Sequence, residues 1–341
     1  MTKPHHLNII LALKYTPGIG PVKAKKLLAQ DNLTDFAPTP QIREKVEEEL
    51  ELLARKKVLT VTLLDEAYPP LLKEIANPPL LLYYEGSLGA TFPLAFVGSR
   101  QAHPYAAKAC AKIIGDLKGS GASIISGLAY GIDTLAHQSA LENDLHTVAV
   151  LGCGIDINYP AGNERLREKI LTCGGAIISE VPLGTKPAPH YFPQRNRIIS
   201  GLSLATVVLQ ARLTSGSLIT AQTALEQGRG VYALPGSIFH EDFCGNHALL
   251  REGALCIRHA EDLLEDFKPV RAKKDPMPPH TPSLPRLSEE EALIYGLIKD
   301  RACLDQLIAQ TGMATPRALS LLTQLLLKGL LNEEGGWYSK T

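Results

Sequence analysis

The sequence predicts an α/β fold, a doubly wound and mostly parallel sheet, with a small helical unit before it and another after it. Three observations predict this. Between residues 94 and 234 six short runs are apolar throughout rather than alternating, as strands covered on both faces are. Amphipathic segments of helical period separate them. Proline-rich stretches mark both ends of the region.

Residues 1–30 hold Lys3, Lys14, Lys23, Lys25 and Lys26 and no acid. Within them Leu11–Leu28 is expected as helix, tight turn, helix. Pro17-Gly18-Ile19-Gly20 breaks the first helix, and Ala24, Leu27 and Leu28 recur at helical spacing in the second. A further helix is expected over Ile42–Lys57. These make a helical domain over residues 1–65, ending before Tyr68-Pro69-Pro70 and Asn77-Pro78-Pro79.

The strands are expected at Leu94–Val97, Ala122–Ile125, Thr147–Leu151, Ala176–Ile178, Ala205–Leu209 and Val231–Leu234. The first intervening helix is marked by Ala106, Ala109, Cys110, Ile113, Ile114 and Leu117, spaced i, i+3, i+4, i+7, i+8, i+11. Residues 66–267 thus form a Rossmann-like domain. Residues 268–285 contain six prolines with Lys268, Arg271, Lys273 and Lys274, the composition of a semi-rigid linker. Residues 286–341 suit a winged helix. Helices are expected at Glu289–Lys299, Leu304–Thr311 and Pro316–Lys328, with Gly312 in a turn, Thr315 as cap, and a hairpin over Leu330–Tyr338 turning at Gly335-Gly336. In the third helix Leu319, Leu322 and Leu326 are expected to form the core of this domain.

Lys+Arg and Asp+Glu both number 35, so bulk charge gives no case for nucleic acid, and any such case must be local. The apolar run Leu7–Leu13 is short, includes Asn8 and lacks a cleavage site, so no secretory signal is expected. No stretch reaches the ~18 apolar residues of a membrane span. Six scattered cysteines without a Cys-x-x-Cys pair fit reduced thiols in a cytoplasmic protein, with no metal and no cofactor expected.

In an open parallel sheet, ligands bind at loops leaving the carboxyl ends of the strands. Four such loops are glycine-rich: Gly98-Ser99-Arg100, Gly127–Gly131, Gly152-Cys153-Gly154 and Thr214-Ser215-Gly216-Ser217. Glycine lets the backbone approach an anion, and the following helix offers free N–H groups. A single loop is equally explained as a strand-to-helix turn, but four on one edge point to an anion site. None is a full GxGxxG or Walker loop. Between Glu180 and Glu226 there is no acid, while Lys186, Arg195, Arg197 and Arg212 are interleaved with His190, Tyr191 and Phe192. That mixture suits a single strand of nucleic acid, with cations on phosphates and rings on bases. Arg195 and Arg197 are equally explained as partners of acids elsewhere. His240, Glu241, Asp242, Cys244 and His247 match no zinc spacing. Asp133 and His137, at i and i+4, are expected to share a hydrogen bond on a helix face.

The runs Phe96-Val97-Gly98-Ser99-Arg100, Ser126–His137, Gly152-Cys153-Gly154 with Tyr159-Pro160, Ser179-Glu180, Phe192–Leu202, Ser215–Ala221 and Ala233–Ser237 resemble the DNA processing protein A family (DprA, also called Smf). The resemblance covers roughly residues 60–265. Residues 17–28 resemble a helix-hairpin-helix in a sterile-alpha-motif-like domain, and residues 287–338 resemble the family's winged-helix-like domain. The resemblance implies a non-enzymatic protein that binds and protects single-stranded DNA during natural transformation, loads the RecA recombinase onto it, and dimerises through the Rossmann-like domain. Leu249, Leu250, Leu255 and Ile257 offer apolar surface for such a dimer, or else core. By motif match, Ser99, Arg100, Gly127, Lys186, Arg195, Arg197, Ser215, Gly216 and Ser217 would line the DNA pocket. The loop His240–Asn246 departs from the family's serine- and arginine-bearing version in carrying Glu241 and Asp242.

Two other readings stand beside this one. A nucleoside-monophosphate phosphoribohydrolase on a related fold would use Pro-Gly-Gly-x-Gly-Thr-x-x-Glu. Here Thr214–Gln222 lacks the glycine pair and the glutamate, and no carboxylate is expected at that place. A helix-turn-helix regulator would read duplex DNA through residues 287–338.

Overall fold

The computed structural model describes residues 4–29, 38–267, 287–328 and 330–340. The chain divides into two compact units, Met1–Lys268 and Pro269–Thr341. Lys3, the proline-rich segment 268–285 and Arg286 lie outside the described residues.

The first unit runs α1 (Pro4–Tyr15), α2 (Pro21–Ala29), α3 (Pro40–Lys56), β1 (Leu59–Thr62), α4 (Pro70–Glu74), β2 (Leu81–Gly86), β3 (Phe92–Gly98), α5 (Pro104–Asp116), β4 (Ala122–Ser126), α6 (Ile132–Glu142), β5 (His146–Leu151), α7 (Glu164–Thr172), β6 (Ala176–Ser179), α8 (Tyr191–Gly201), β7 (Ala205–Gln210), α9 (Gly216–Glu226), β8 (Gly230–Ala233), α10 (Cys244–Arg251), β9 (Leu255–Cys256) and α11 (Ala260–Phe267). The strands lie in the order β1-β2-β6-β5-β4-β3-β7-β8-β9. Neighbours from β6 to β9 are parallel, while β2 is antiparallel to β6 and β1 to β2. The chain therefore winds outward from β3 to β6, then returns to lay β7 against the other side of β3. Loops leaving β3 and β7 diverge there and open a crevice.

Successive strand residues alternate between two faces. Leu94 and Phe96 of β3 join Ile124, Val207 and Tyr232 beneath α5, α6 and α11, whereas Ala95 and Val97 join Ile125, Val150, Ile199 and Val208 beneath α4, α8, α9 and α10. All six expected strands form. β1, β2 and β9 join them without a matching apolar run of their own in the sequence expectation. β2 follows Pro78-Pro79 directly, so turn residues masked it, and β9 is a two-residue exposed strand with no periodicity to detect.

Among the described residues, 1–65 carry no core of their own. Ile10 and Leu11 of α1 and Ile42, Val46 and Leu53 of α3 share one cluster with Tyr83, Ala149 and Ile177 of the sheet. The sheet itself begins at Leu59, ahead of the boundary expected at residue 66. Polar links pin the helical layer: His6 to Asp65 at 2.9 Å, Lys56 to Asp156 at 3.1 Å, and Lys14 to Glu49 at 3.3 Å, with the Tyr15 and Tyr83 hydroxyls also donating to Glu49.

The second unit comprises α12 (Glu289–Leu297), β10 (Arg301–Cys303), α13 (Leu304–Thr311), α14 (Thr315–Leu327), β11 (Leu331–Glu334) and β12 (Trp337–Lys340), with the strands in the antiparallel order β10-β12-β11. Gly335 and Gly336 both take positive φ, as the two-residue hairpin turn requires. Two details differ from expectation. Ala314, not Thr315, holds the cap position of α14, and Thr315 is its first helical residue. The buried row is Ala318, Leu321, Leu322 and Leu325, while Leu319 is 42% exposed. The longer set at i, i+3, i+4, i+7 defines the inward face, and Leu319 lies off it. Among the described residues no helix is long and apolar enough to cross a membrane.

Candidate functional site

A cavity of about 350 Å³ opens where β3 and β7 end, at the reversal of the winding. Gly98, Ser99 and Arg100 form one wall. Phe192 and Arg195 of α8 form another. Arg212 and Thr214–Ser217, leading into α9, close it, and Asp133 of α6 lies at its base.

Two buried amides hold these loops. Gln210 Oε1 accepts from His103 N at 2.7 Å, and its Nε2 donates to Gln101 O at 3.1 Å, so the end of β7 braces the turn after β3. Asn246 of α10 accepts from Ala211 N at 2.7 Å and donates to Val208 O and Leu234 O, each at 2.9 Å. Ser215 caps α9, accepting from Ser217 N at 3.3 Å, with the two hydroxyls 2.6 Å apart. The N-terminus of that helix therefore lines the cavity with two hydroxyls and Gly216, while Ser217 N and Leu218 N are both taken by Ser215. Gly131 has φ +74°, and a Cβ there would lie 2.3 Å from Ser99 O, so only glycine fits between the first two loops.

Arg195 dominates the electrostatics. It is 7% exposed, its Nη1 donates to Val150 O at 2.7 Å, and its Nε has no partner. Among the described residues no carboxylate forms an ion pair with it. Burial lowers its pKa from the ordinary guanidinium value, Asp133 works against that shift, and Arg100 adds to it. Arginine stays charged regardless, so a buried cation faces the cavity. Gly127 lies against this guanidinium: a Cβ there would sit 1.8 Å from Nη1.

Asp133 lines the cavity, contrary to the expectation that no carboxylate stands near the loops. Nor does it pair with His137. Asp133 Oδ2 accepts from Gly127 N at 3.2 Å and Ala129 N at 3.4 Å, while His137 Nδ1 bonds Thr147 Oγ1 at 2.7 Å. Burial, then the Arg195 charge, pulls the pKa of His137 down to about 3, so the ring is neutral. Burial raises the pKa of Asp133, with Arg195 and the two N–H groups opposing.

Aromatic rings extend along the same edge. The Arg100 guanidinium carbon lies 5.5 Å from the Phe192 ring centroid, and Tyr159 follows 5.8 Å beyond Phe192. His190 and Tyr191 pack at 4.1 Å. Tyr130 and Tyr159 are exposed.

Of the residues expected in the pocket, Ser99, Arg100, Arg195, Ser215, Gly216 and Ser217 come together. Gly127 lies beneath Arg195 rather than on the cavity surface. Lys186 is exposed on the loop between β6 and α8 and does not line it. Arg197 points elsewhere on α8, bonding Glu180 and donating to Asn77 O at 2.6 Å. The acid partner considered from sequence is thus real for Arg197, whereas Arg195 forms no ion pair among the described residues. Arg212 lines the cavity but donates to Asp242 Oδ1 at 2.6 Å, so a segment free of acids in sequence meets one in space. Gln210, Asn246 and the seat of Asp133 were missed, because a lone amide carries no spacing signal.

Residues 59–268 match the sequence profile of the family described as DNA recombination-mediator protein A, and residues 278–336 match the DprA winged helix domain. The DNA processing protein DprA of Streptococcus pneumoniae is 43% identical over 215 residues, spanning 62% of this chain and 76% of that protein. The X-ray structure of DprA from the same organism aligns at TM-score 0.62 with 37% identity, covering 77% of this chain and 93% of that one. A structure of DNA processing protein A from Helicobacter pylori, described for its single-stranded DNA binding mode, aligns at TM-score 0.55 with 28% identity, covering 62% of this chain and 95% of that one. With its whole α/β region and its winged helix both matched, the chain belongs to the DNA recombination-mediator protein A family, the DNA processing proteins called DprA or Smf.

Proposed function

We propose that this chain binds single-stranded DNA at the cavity between β3 and β7, protects it, and loads the RecA recombinase onto it in DNA processing during natural transformation. The observation that carries the reading is Arg195, a buried cation without an ion-pair partner among the described residues, which faces a pocket walled by a helix N-terminus, two hydroxyls and Phe192. A phosphate satisfies such a cation, and rings beside it stack on bases whatever their sequence. Family membership and the H. pylori relative support the same ligand.

The protein acts as a binder, not an enzyme. Asp133 is the one carboxylate among the cavity's lining residues, and its Oδ2 is held by two backbone N–H groups that fix the Gly127 loop. No turnover of nucleoside monophosphates is expected. Product release that disappears in Asp133→Asn while the fold persists would overturn this.

Duplex reading through the second unit is disfavoured by its charges. Arg317, the cation on the exposed side of α14, bonds Glu290, and Lys328 pairs with Glu291 at 2.6 Å. Phosphate contacts supply most duplex affinity, and each of these cations must give up an ion pair to make one. A chain ending at Phe267 keeps all of the first compact unit but its last residue, and is expected to fold and retain most single-strand affinity. Loss of binding with an unchanged circular dichroism spectrum would move the DNA site to the winged helix.

Arg197→Ala tests the division between cations. It removes a bond to Glu180 and one to Asn77 O, so stability should fall by about 1–3 kcal/mol. The salt dependence of single-strand binding should stay as in the parent. A slope reduced by about 0.7 would place Arg197 on a phosphate after all.

The homodimer also belongs to this reading. Leu249 and Ile257 are buried in the core and Leu250 packs half-buried against it, leaving Leu255, 49% exposed, as apolar surface.

A further inference from the structure

Three of the arginines near the cavity, Arg195, Arg197 and Arg212, differ in what holds them. Arg195 is buried and forms no ion pair among the described residues, though the Asp133 charge acts on it. Arg197 is tied down, with 16% of its side chain exposed and Glu180 at 26%. Arg212 lines the cavity with 63% of its side chain exposed, yet its Nε donates to Asp242 Oδ1 at 2.6 Å. That contact joins two loops 30 residues apart in sequence.

The acid is presented by an anchored scaffold. Phe243, 1% exposed, packs so closely under Gly236 that a Cβ there would lie 2.3 Å from its Cγ. Asn246 bonds the ends of β7 and β8. Between these anchors the loop projects, with Phe239 89% exposed. Glu241 adds a second negative charge beside Asp242. A carboxylate and a phosphate present equivalent oxygen acceptors to a guanidinium. Exposed pairs of this kind are weak and exchange readily.

We propose that Asp242 occupies the place of a strand phosphate on Arg212, an anionic competitor built into the rim that lowers the affinity of the empty site. The inference rests on the reading of the cavity as a single-strand site. When a strand enters, Arg212 passes from the Asp242 carboxylate to a phosphate, and the loop bearing Ile238 and Phe239 loses one of its ties to the β7 loop, while Gly245 and Asn246 still hold Ala211.

The test is single-strand binding by fluorescence anisotropy over a salt series, for the full chain, Asp242→Asn, Arg212→Ala and the double variant. Asp242→Asn should bind about three- to fivefold more tightly, with the slope of log K on log salt steeper by up to about 0.7. In the Arg212→Ala background the same change should give no such gain. If the parent binds and Asp242→Asn binds equally or more weakly, the competitor is refuted and the site stands. A gain that persists without Arg212 also refutes it, since the acid then acts on another group. If neither the parent nor Asp242→Asn binds a single strand, the reading of the cavity falls, and this inference with it.

Discussion

Gly127→Ala is expected to cost the protein at least about tenfold in affinity for single-stranded DNA. The new methyl would lie 1.8 Å from Arg195 Nη1 and 2.4 Å from its Cζ, closer than any carbon can sit. The Gly127 backbone cannot retreat far, because its N–H donates to Asp133 at 3.2 Å and it directly follows β4, a strand paired on both sides. Arg195 must therefore leave, surrendering its bond to Val150 O. Overpacking of this kind costs about 1–3 kcal/mol of stability as well. Arg195→Ala in the same assay separates the two effects: it removes the cation without crowding, and should lose similar affinity at smaller cost to the fold. Binding by Gly127→Ala as tight as the parent's would mean that Arg195 is not positioned for the strand.

Asn246→Ala should give the largest loss of stability among single changes near the site, about 3 kcal/mol by denaturant unfolding. It strands Ala211 N and Leu234 O in the interior and takes one of two donors from Val208 O, which keeps Leu234 N. Each buried backbone group left unpaired costs about 1–3 kcal/mol. Because Asn246 fixes the loop carrying Arg212 and Ser215, single-strand affinity should fall even in conditions where the variant is fully folded. A loss below about 1 kcal/mol would show that the loop is held by other contacts.

Much of this arrangement was legible in the sequence for one reason: regular elements repeat. The apolar runs of β3 to β8 and the stripe from Ala106 to Leu117 each bury a face, and periodicity reports burial. The glycine-rich loops were legible because close approach leaves no other residue, as at Gly131 and Gly127. What stayed hidden depends on pairs distant in sequence. Arg195 and Arg197 look alike in the run Arg195-Asn196-Arg197, yet two positions on a helix are 200° apart, so one enters the cavity and the other meets Glu180. Lys186 shared their composition but sits on a loop whose course no spacing reveals. The N-terminal helices read as a domain because of their proline boundaries, while their core partners, Tyr83, Ala149 and Ile177, lie on strands far along the chain.

The most direct test of the central claim is equilibrium binding of one labelled single strand and its duplex, each over a salt series, by the parent, Arg100→Ala and Arg195→Ala. The account predicts that the parent prefers the single strand at every salt concentration. Each alanine variant should bind it more weakly regardless of base sequence, with a slope shallower by about 0.7 for the phosphate contact removed. Equal affinity of the parent for duplex and single strand, or parental affinity and slope in both variants, would contradict it.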